Sequence, residues 1–519
     1  MNTNVDLKLY ENAIEREDQI KYLGMWFDKK LTWKVHIDKI VEKSKRILNI
    51  MRCLRGREWG ADRKALKTVY IGLIRSVFDY GSILYNSASN SLLTKIDKIQ
   101  YQALRLCCGA MKTTPVSALQ VEMGEMPLEL RREQLALNYW VNIKGHDGTH
   151  PPRATLLPCQ EKGKKQINSF GWIILNKVKD AGIDNFLISP VVLTPVIPSW
   201  NFDQAEVDLK LLEKGRQLER KEVENYIKRE YSEYIQIYTD ASKMLNNQVG
   251  ISFIAPDLNF MKHKRISDNL TVYTGELMAI LMALEWVEEM ERRKVVICSD
   301  SSSALISIKE INSEARQDIV LEIAHAIFRT KSRGSHIKLV WIPAHIGVVG
   351  NELADSFAKS ASKKNTVDLD IKISKNEVKN IIKEYIKGKW QKKWDRGDKA
   401  RSYYSIQKKV GEFRKCNRSK KEEDIISRIR FGHTGLNSTL KIVNKHSTGS
   451  CSYCGELETV KHIFLECNKY VREREILIRE LSRDKIKLDI RELFQRSSGD
   501  VVFCSIFIYL RRTGIMGRL

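Results

Sequence analysis

The sequence predicts an α/β domain set between a mostly helical module and a basic helical segment that leads into a small metal-binding knuckle. Three observations carry this. From Tyr231 to Ala361 short apolar strands alternate with amphipathic helices. In the first third helical periodicity dominates, with Val41, Ile47, Leu48 and Met51 on one face and Leu66, Val69, Tyr70, Leu73 and Val77 on another. Near the end, Cys451, Cys454, His462 and Cys467 fall within 17 residues. At 519 residues the chain is too long for one ordinary domain.

The elements divide by composition. Residues 1–145 read as the helical module. Six of the ten prolines lie between Pro151 and Pro198, so 146–230 reads as a proline-rich linker. The α/β domain occupies 231–362, the basic helical segment 363–446, the knuckle 447–470 and a charged helical tail 471–519. Lys+Arg number 88 against 64 Asp+Glu, a net of +24, which points to a polyanion partner, above all nucleic acid. The excess is uneven. Ser362 to His446 holds 24 basic and 10 acidic residues, whereas Tyr231 to Ala361 holds 14 and 16. The longest apolar run, Val501 to Leu510, is half of what spans a bilayer, so no membrane protein is implied. The first residues carry no basic cap and apolar core, and the ten cysteines are scattered apart from one cluster. The expectation is a reducing compartment, nuclear or cytoplasmic, without a secretory signal or a disulfide framework.

Four acids border the predicted α/β core. Asp240 ends the strand-like run from Tyr234, and Asp300 follows the run Val295-Val296-Ile297-Cys298. Glu276 lies in the first turn of a helix that Thr274 can cap, with Leu277, Ile280, Leu281, Leu284 and Val287 as its apolar stripe. Asp355 lies near the start of a helix that Asn351 can cap. Acids that converge in a core repel one another and are desolvated, so they need bound positive charge. An oxygen-only ligand set favours Mg²⁺ or Mn²⁺, and two such ions about 3.5–4 Å apart serve phosphodiester hydrolysis. Each acid taken alone also fits an ordinary capping or strand-end role, and position does not decide between the two.

The strings Tyr238-Thr239-Asp240-Ala241-Ser242, Tyr273-Thr274-Gly275-Glu276-Leu277-Met278-Ala279, Ser299-Asp300-Ser301-Ser302-Ser303-Ala304-Leu305, Trp341-Ile342-Pro343-Ala344-His345-Ile346-Gly347 and Gly350-Asn351-Glu352-Leu353-Ala354-Asp355 resemble, in order, the signature blocks of type 1 ribonuclease H. The resemblance implies a ribonuclease H-like five-stranded mixed sheet with flanking helices. It also implies metal-dependent cleavage of the RNA strand of RNA–DNA hybrids, with Asp240, Glu276, Asp300 and Asp355 as ligands of two Mg²⁺ ions, for which Mn²⁺ can substitute. His345 matches the family's proton-shuttling histidine. By the same resemblance the catalytic part ends near Ala361.

Upstream, the string Lys21-Tyr22-Leu23-Gly24-Met25-Trp26-Phe27-Asp28-Lys29-Lys30-Leu31-Thr32-Trp33 resembles the segment just past the palm in reverse transcriptases of non-LTR, jockey-like retrotransposons, and the stretch to about Trp140 resembles their thumb. No Tyr-x-Asp-Asp or Phe-x-Asp-Asp string occurs, so the pattern departs from a polymerase. The resemblance implies a truncated polyprotein that lacks the polymerase active site. Downstream, Lys389, Lys392, Lys393 and Arg396 are interleaved with Trp390 and Trp394. The cations suit phosphates and the rings suit unpaired bases, while the one-turn spacing of the tryptophans equally suits core anchors. Cys451-x2-Cys454-x7-His462-x4-Cys467 offers three thiolates and an imidazole to tetrahedral Zn²⁺, and a site of this size is expected to fold on its own. It resembles the knuckle that follows ribonuclease H in many non-LTR elements. The function implied is a hybrid-cleaving endonuclease with RNA–DNA hybrid and single-stranded nucleic acid as partners. The alternative is a catalytically idle nucleic-acid-binding relic of a retrotransposon.

Overall fold

The alternation of strands and helices after Tyr231 folds into an α/β layer, and the helical periodicity of the first third folds into helices. The structure, a computed structural model, describes residues 8–10, 12–13, 17–56, 59–155, 170–190, 205–215, 217–290, 293–414, 418–495 and 499–519. The chain divides into two units, Asn138–Lys164 with Leu175–Ile382, and Met1–Leu137 with Lys165–Ile174 and Lys383–Leu519. Among the described residues no helix is long and apolar enough to cross a membrane.

Among the described residues the first of these units holds six strands, β1 (Val207–Asp208), β2 (Ile235–Lys243), β3 (Val249–Ala255), β4 (Phe260–Ile266), β5 (Lys294–Ser299) and β6 (His336–Trp341). Their order across the sheet is β1-β6-β5-β2-β3-β4. The pairs β1/β6, β6/β5 and β5/β2 are parallel, and β2/β3 and β3/β4 antiparallel. β5 reads as a continuous apolar run because both of its faces are covered. Helix α1 (Val272–Glu289) lies on one face of the sheet, followed by α2 (Ser302–Glu310) and α3 (Gln317–Ser332), and α4 (Val349–Ser362) lies on the other. Alternation along the strands sorts the side chains: Phe253 faces Trp286 of α1, while Ser252 donates its hydroxyl to the Ala354 carbonyl of α4 at 2.6 Å. Gly250 lets α4 settle on β3, since a Cβ there would collide with the Ala358 carbonyl.

The sheet departs from the sequence expectation: among the described residues it has six strands and not five, and the extra one comes from the region read as a linker. Val207 pairs with Leu339 and so closes the outer edge of β6, and both Tyr226 and Tyr231 donate their hydroxyls to Asp208 Oδ2, at 2.5 and 2.6 Å. The helix Arg220–Glu230 then buries Val223 and Ile227 against Val296, Cys298 and Val340. The caps depart from expectation too. α1 is capped by Thr271, whose hydroxyl accepts from the Thr274 N–H, and α4 starts at Val349, ahead of Asn351.

The other unit joins the N-terminal helices to the C-terminal part of the chain, so the basic segment is not a separate element. Its centre is Glu122, on helix Val116–Met123. Arg63 Nη1 (2.9 Å), Arg414 Nε (3.3 Å), Arg430 Nε (3.1 Å) and the Tyr403 hydroxyl (2.6 Å) all donate to this carboxylate. Burial alone would raise its pKa, but the three guanidinium groups hold it well below the usual range. The Cys/His segment read as a knuckle also shares a larger core. Cys451, Ile463, Phe464 and Cys467 pack with Ile426, Leu477, Phe503, Phe507 and Leu510, the Tyr509 hydroxyl donates to the Ile463 carbonyl at 2.7 Å, and Arg518 pairs with Glu458 at 2.5 Å. The expectation of a knuckle folding alone does not survive this packing, and the apolar run Val501 to Leu510 is what covers it.

Glu122→Gln should destabilise this unit by about 3–5 kcal/mol, because three buried guanidinium groups lose their counter-charge. Urea denaturation followed by tryptophan fluorescence measures it, and a loss under about 1 kcal/mol would mean that the network contributes little to stability.

Candidate active site and Cys/His cluster

β2 and β5 pair in parallel up to Thr239 and Ser299, so Asp240 and Asp300 come side by side where that pairing ends; Asp300 follows β5, whereas Asp240 does not end its strand as expected, since β2 continues to Lys243 along β3. Glu276 reaches the same place from α1. Gly275 presses on β2, where a Cβ would lie 2.7 Å from that of Ala241, and Glu276 Oε1 accepts from the Ala241 N–H at 3.2 Å. One oxygen from each of Asp240, Glu276 and Asp300 lies within 4.8 Å of the others. Asp240 Oδ2 and Glu276 Oε2 are buried with no hydrogen-bond partner among the described residues. A buried carboxylate oxygen left without a donor is costly, and two of them in one cluster of acids call for a cation.

The electrostatics agree. Burial, compounded by Asp300 and Asp355, pushes the Asp240 carboxyl up to about 8. Burial and the charges of Asp240 and Asp300 push Glu276 well above the usual carboxylate range. Burial raises Asp300 too, opposed by the Asn351 amide and by His345. Asn351 Nδ2 donates to Asp300 Oδ2 at 3.2 Å and Trp341 Nε1 to the Asp300 carbonyl at 3.0 Å, which fix this acid from two sides.

Asp355 sits apart from the triad, half-buried on α4 and paired with Lys359 at 2.6 Å. It forms a second group with His345 and Glu352, again with one ligand atom from each within 4.8 Å. His345 is exposed and its backbone is left-handed, φ +54°, in the loop between β6 and α4, a conformation that a non-glycine residue holds at a cost. Sequence reasoning missed Glu352, whose signal was its i, i+3 spacing to Asp355 on one helical face. It also missed Asn351 and Trp341 as the groups that hold Asp300.

The predicted nucleic-acid contacts on helix Lys375–Arg396 fare unevenly. Trp390 and Trp394 are 4% and 2% exposed, and Trp394 Nε1 donates to the Gln407 carbonyl at 3.0 Å, so these rings are packing anchors and are not open to bases. Lys389 pairs with Glu133 at 2.7 Å and Lys393 with Glu129 at 3.0 Å. Lys392 and Arg396 are exposed.

At the knuckle, Cys451, Cys454, His462 and Cys467 present their ligand atoms within 4.8 Å of one another. Cys454 Sγ lies 3.2 Å from His462 Nε2 and 4.0 Å from Cys467 Sγ, which lies 3.9 Å from Cys451 Sγ. Burial would raise the Cys451 thiol, but the N–H groups of Cys454 and Tyr453 and the neighbouring ligands bring it down to about 6.

Residues 232–363 match the RNase H family. The chain is 25% identical over 144 residues to a Retrovirus-related Pol polyprotein from type-1 retrotransposable element R1 4 of Nasonia vitripennis, an alignment of 28% of this chain with 36% of that one. It is 27% identical over 212 residues to a Retrovirus-related Pol polyprotein from type-1 retrotransposable element R1 of Popillia japonica, which covers 40% of this chain and 81% of the relative. It is 24% identical over 121 residues to the Putative 115 kDa protein in type-1 retrotransposable element R1DM of Drosophila melanogaster, 23% of this chain and 12% of that one. The α/β unit therefore carries an RNase H domain. Homologues of the chain include Pol polyproteins of R1 retrotransposons, and it spans little more than a third of the first of them.

The raised acids make a stability prediction. A carboxyl whose folded pKa stands near 8 and whose unfolded value is 3.8 contributes stability that is complete below about pH 4 and lost as pH rises through about 8. Glu276 and Asp300 shift in the same direction. In chelator the melting temperature of the α/β unit should fall from pH 5 to pH 8, and Asp240→Asn should flatten that fall. Differential scanning calorimetry checks it, and a wild-type profile that rises over this range would contradict the repulsion.

Proposed function

We propose that this chain hydrolyses the RNA strand of RNA–DNA hybrids as a type 1 ribonuclease H. The observation that carries the reading is the triad of Asp240, Glu276 and Asp300, held within 4.8 Å with two buried and unbonded oxygens, inside a domain that matches the RNase H family. With Asp355, these acids would hold two Mg²⁺ ions, for which Mn²⁺ can substitute. Bound there, the ions supply the charge that activates a water and stabilises the leaving oxygen in phosphodiester hydrolysis. The chain's own groups do the rest. Asn351 and Trp341 orient Asp300, and His345, exposed beside Glu352 and Asp355, carries a proton between the site and solvent.

We read Cys451, Cys454, His462 and Cys467 as a Zn²⁺ site. The separations of 3.9 and 4.0 Å between sulfurs are close to the edge of about 3.8 Å that Zn–S bonds of ~2.3 Å give a tetrahedron. The partners in this reading are RNA–DNA hybrid and single-stranded nucleic acid, with Lys392 and Arg396 free to meet phosphates. Residues 1–145 are read as a thumb-like remnant, without polymerase activity of its own, since the paired palm aspartates do not occur in the sequence.

In a cleavage assay on a strand-labelled hybrid with Mg²⁺, Asp300→Asn should lose roughly a thousandfold or more in rate, and His345→Ala about ten- to a thousandfold. If Asp300→Asn cleaves within a few-fold of wild type, the acid triad does not hold the metal. Cys451→Ser with Cys454→Ser should loosen the helices Val471–Arg483 and Asp500–Arg512 together with the knuckle, seen as faster amide hydrogen exchange. Exchange confined to 450–470 would mean that the cluster folds alone.

A further inference from the structure

Glu377 lies 14 residues past the stretch that matches the RNase H family, in the first turn of helix Lys375–Arg396. It is 3% exposed, where a carboxylate is costly unless all of its lone pairs are used. They are used. Oε1 accepts from the Thr271 N–H (2.7 Å), the Thr271 hydroxyl (2.9 Å) and the Thr274 hydroxyl (2.7 Å). Oε2 accepts from the Ser374 N–H (3.0 Å) and from Arg316 Nη1 (3.4 Å), and Arg316 is itself clasped by both oxygens of Asp318 at 3.0 and 2.8 Å. The donors outweigh the burial and hold the Glu377 carboxyl below its ordinary value.

Thr271 is the N-cap of α1 and Thr274 its third residue, so this carboxylate binds the first turn of α1, where free N–H groups and the positive end of the helix dipole favour an anion. Thr271 can accept from the Thr274 N–H while giving its own hydroxyl hydrogen to Glu377. Two residues past Thr274 comes Glu276, and Gly275 between them bears on β2 at Ala241. A rotation or lift of this turn therefore moves the Glu276 oxygens away from Asp240 and Asp300.

We propose that Glu377 is a positioning residue for the acid triad. By tying the first turn of α1 to the first turn of helix Lys375–Arg396, within the same unit, it sets how deeply α1 sits on the sheet and so where Glu276 meets a metal ion. This rests on the metal-dependent reading of the triad above. It also extends the functional limit of the RNase H domain beyond Glu377, where the sequence placed it near Ala361. Residues 364–374 make a second connection, to the sheet itself, through Asp368, which accepts from the Arg265 N–H at 2.8 Å, and a bridge between Leu369 and Ile266.

The test uses the full chain and Mn²⁺ alone as probe. Calorimetric titration of wild type, Glu377→Ala, Glu377→Gln and Ile382→Ala gives the affinity, and melting curves give stability. Ile382, buried on the same helix, reports destabilisation without loss of the tether. Glu377→Ala should bind Mn²⁺ on the order of ten- to a hundredfold more weakly, as loss of a group behind a ligand does. Glu377→Gln should fall between it and wild type, and the Mg²⁺ needed for half-maximal hybrid cleavage should rise in step while KM for hybrid stays unchanged. Ile382→Ala should melt lower with wild-type Mn²⁺ affinity. If Glu377→Ala fails to fold, Glu377→Gln decides: a lower melting point with wild-type Mn²⁺ affinity makes Glu377 a structural staple only and overturns the proposal. Wild type that binds no Mn²⁺ would overturn the metal reading itself, an outcome distinct from equal binding by wild type and variants.

Discussion

The α/β unit depends on one electrostatic conflict, three carboxylates brought to one point of a sheet with too few donors to satisfy them. Parallel pairing of β2 with β5 forces Asp240 and Asp300 together, and the seating of α1 on Ala241 brings Glu276 to the same place. A fold that wanted only stability would have put apolar or hydrogen-bonded groups at these positions. The cost is accepted at a point where a cation can remove it, which is the arrangement that functional sites adopt and structural ion pairs avoid.

The other unit shows the opposite solution to the same problem. Glu122 is buried as deeply as Glu276, yet three guanidinium groups and a tyrosine hydroxyl meet it from within the chain. Glu377 is a third case, buried and fully bonded by hydroxyls, amides and one arginine. Among these buried acids only the triad is left with unbonded oxygens, Asp240 Oδ2 and Glu276 Oε2. That difference sets the triad apart from acids that hold the fold together, and the metal-dependent reading rests on it.

Much of the site was legible because its chemistry is carried by short strings. Asp240, Glu276, Asp300, His345 and Asp355 each sit in a local pattern of strand, helix start or loop, and the spacing of the cysteines and His462 marks the Cys/His cluster. What was not legible depends on contacts between distant positions. β1 is two residues long and has meaning only as the cover for β6, so its composition reads as linker. The partners of Glu122 come from positions 63, 403, 414 and 430, and no periodicity links them. Trp390 and Trp394 have the same spacing whether they stack on bases or pack in a core, and only the burial of their rings decides. Glu377 carries no signal at all, since an acid in the first turn of a helix is ordinary and its bond to the start of α1 spans about a hundred residues.

The most direct measurement of the account is digestion of a set of labelled duplexes by the purified chain in Mg²⁺: an RNA–DNA hybrid labelled on either strand, a duplex RNA and a duplex DNA of the same sequence. The RNA strand of the hybrid alone should be cut, and chelator should stop the reaction. Cleavage of duplex DNA at a comparable rate, or an intact hybrid at every Mg²⁺ and Mn²⁺ concentration, would contradict it.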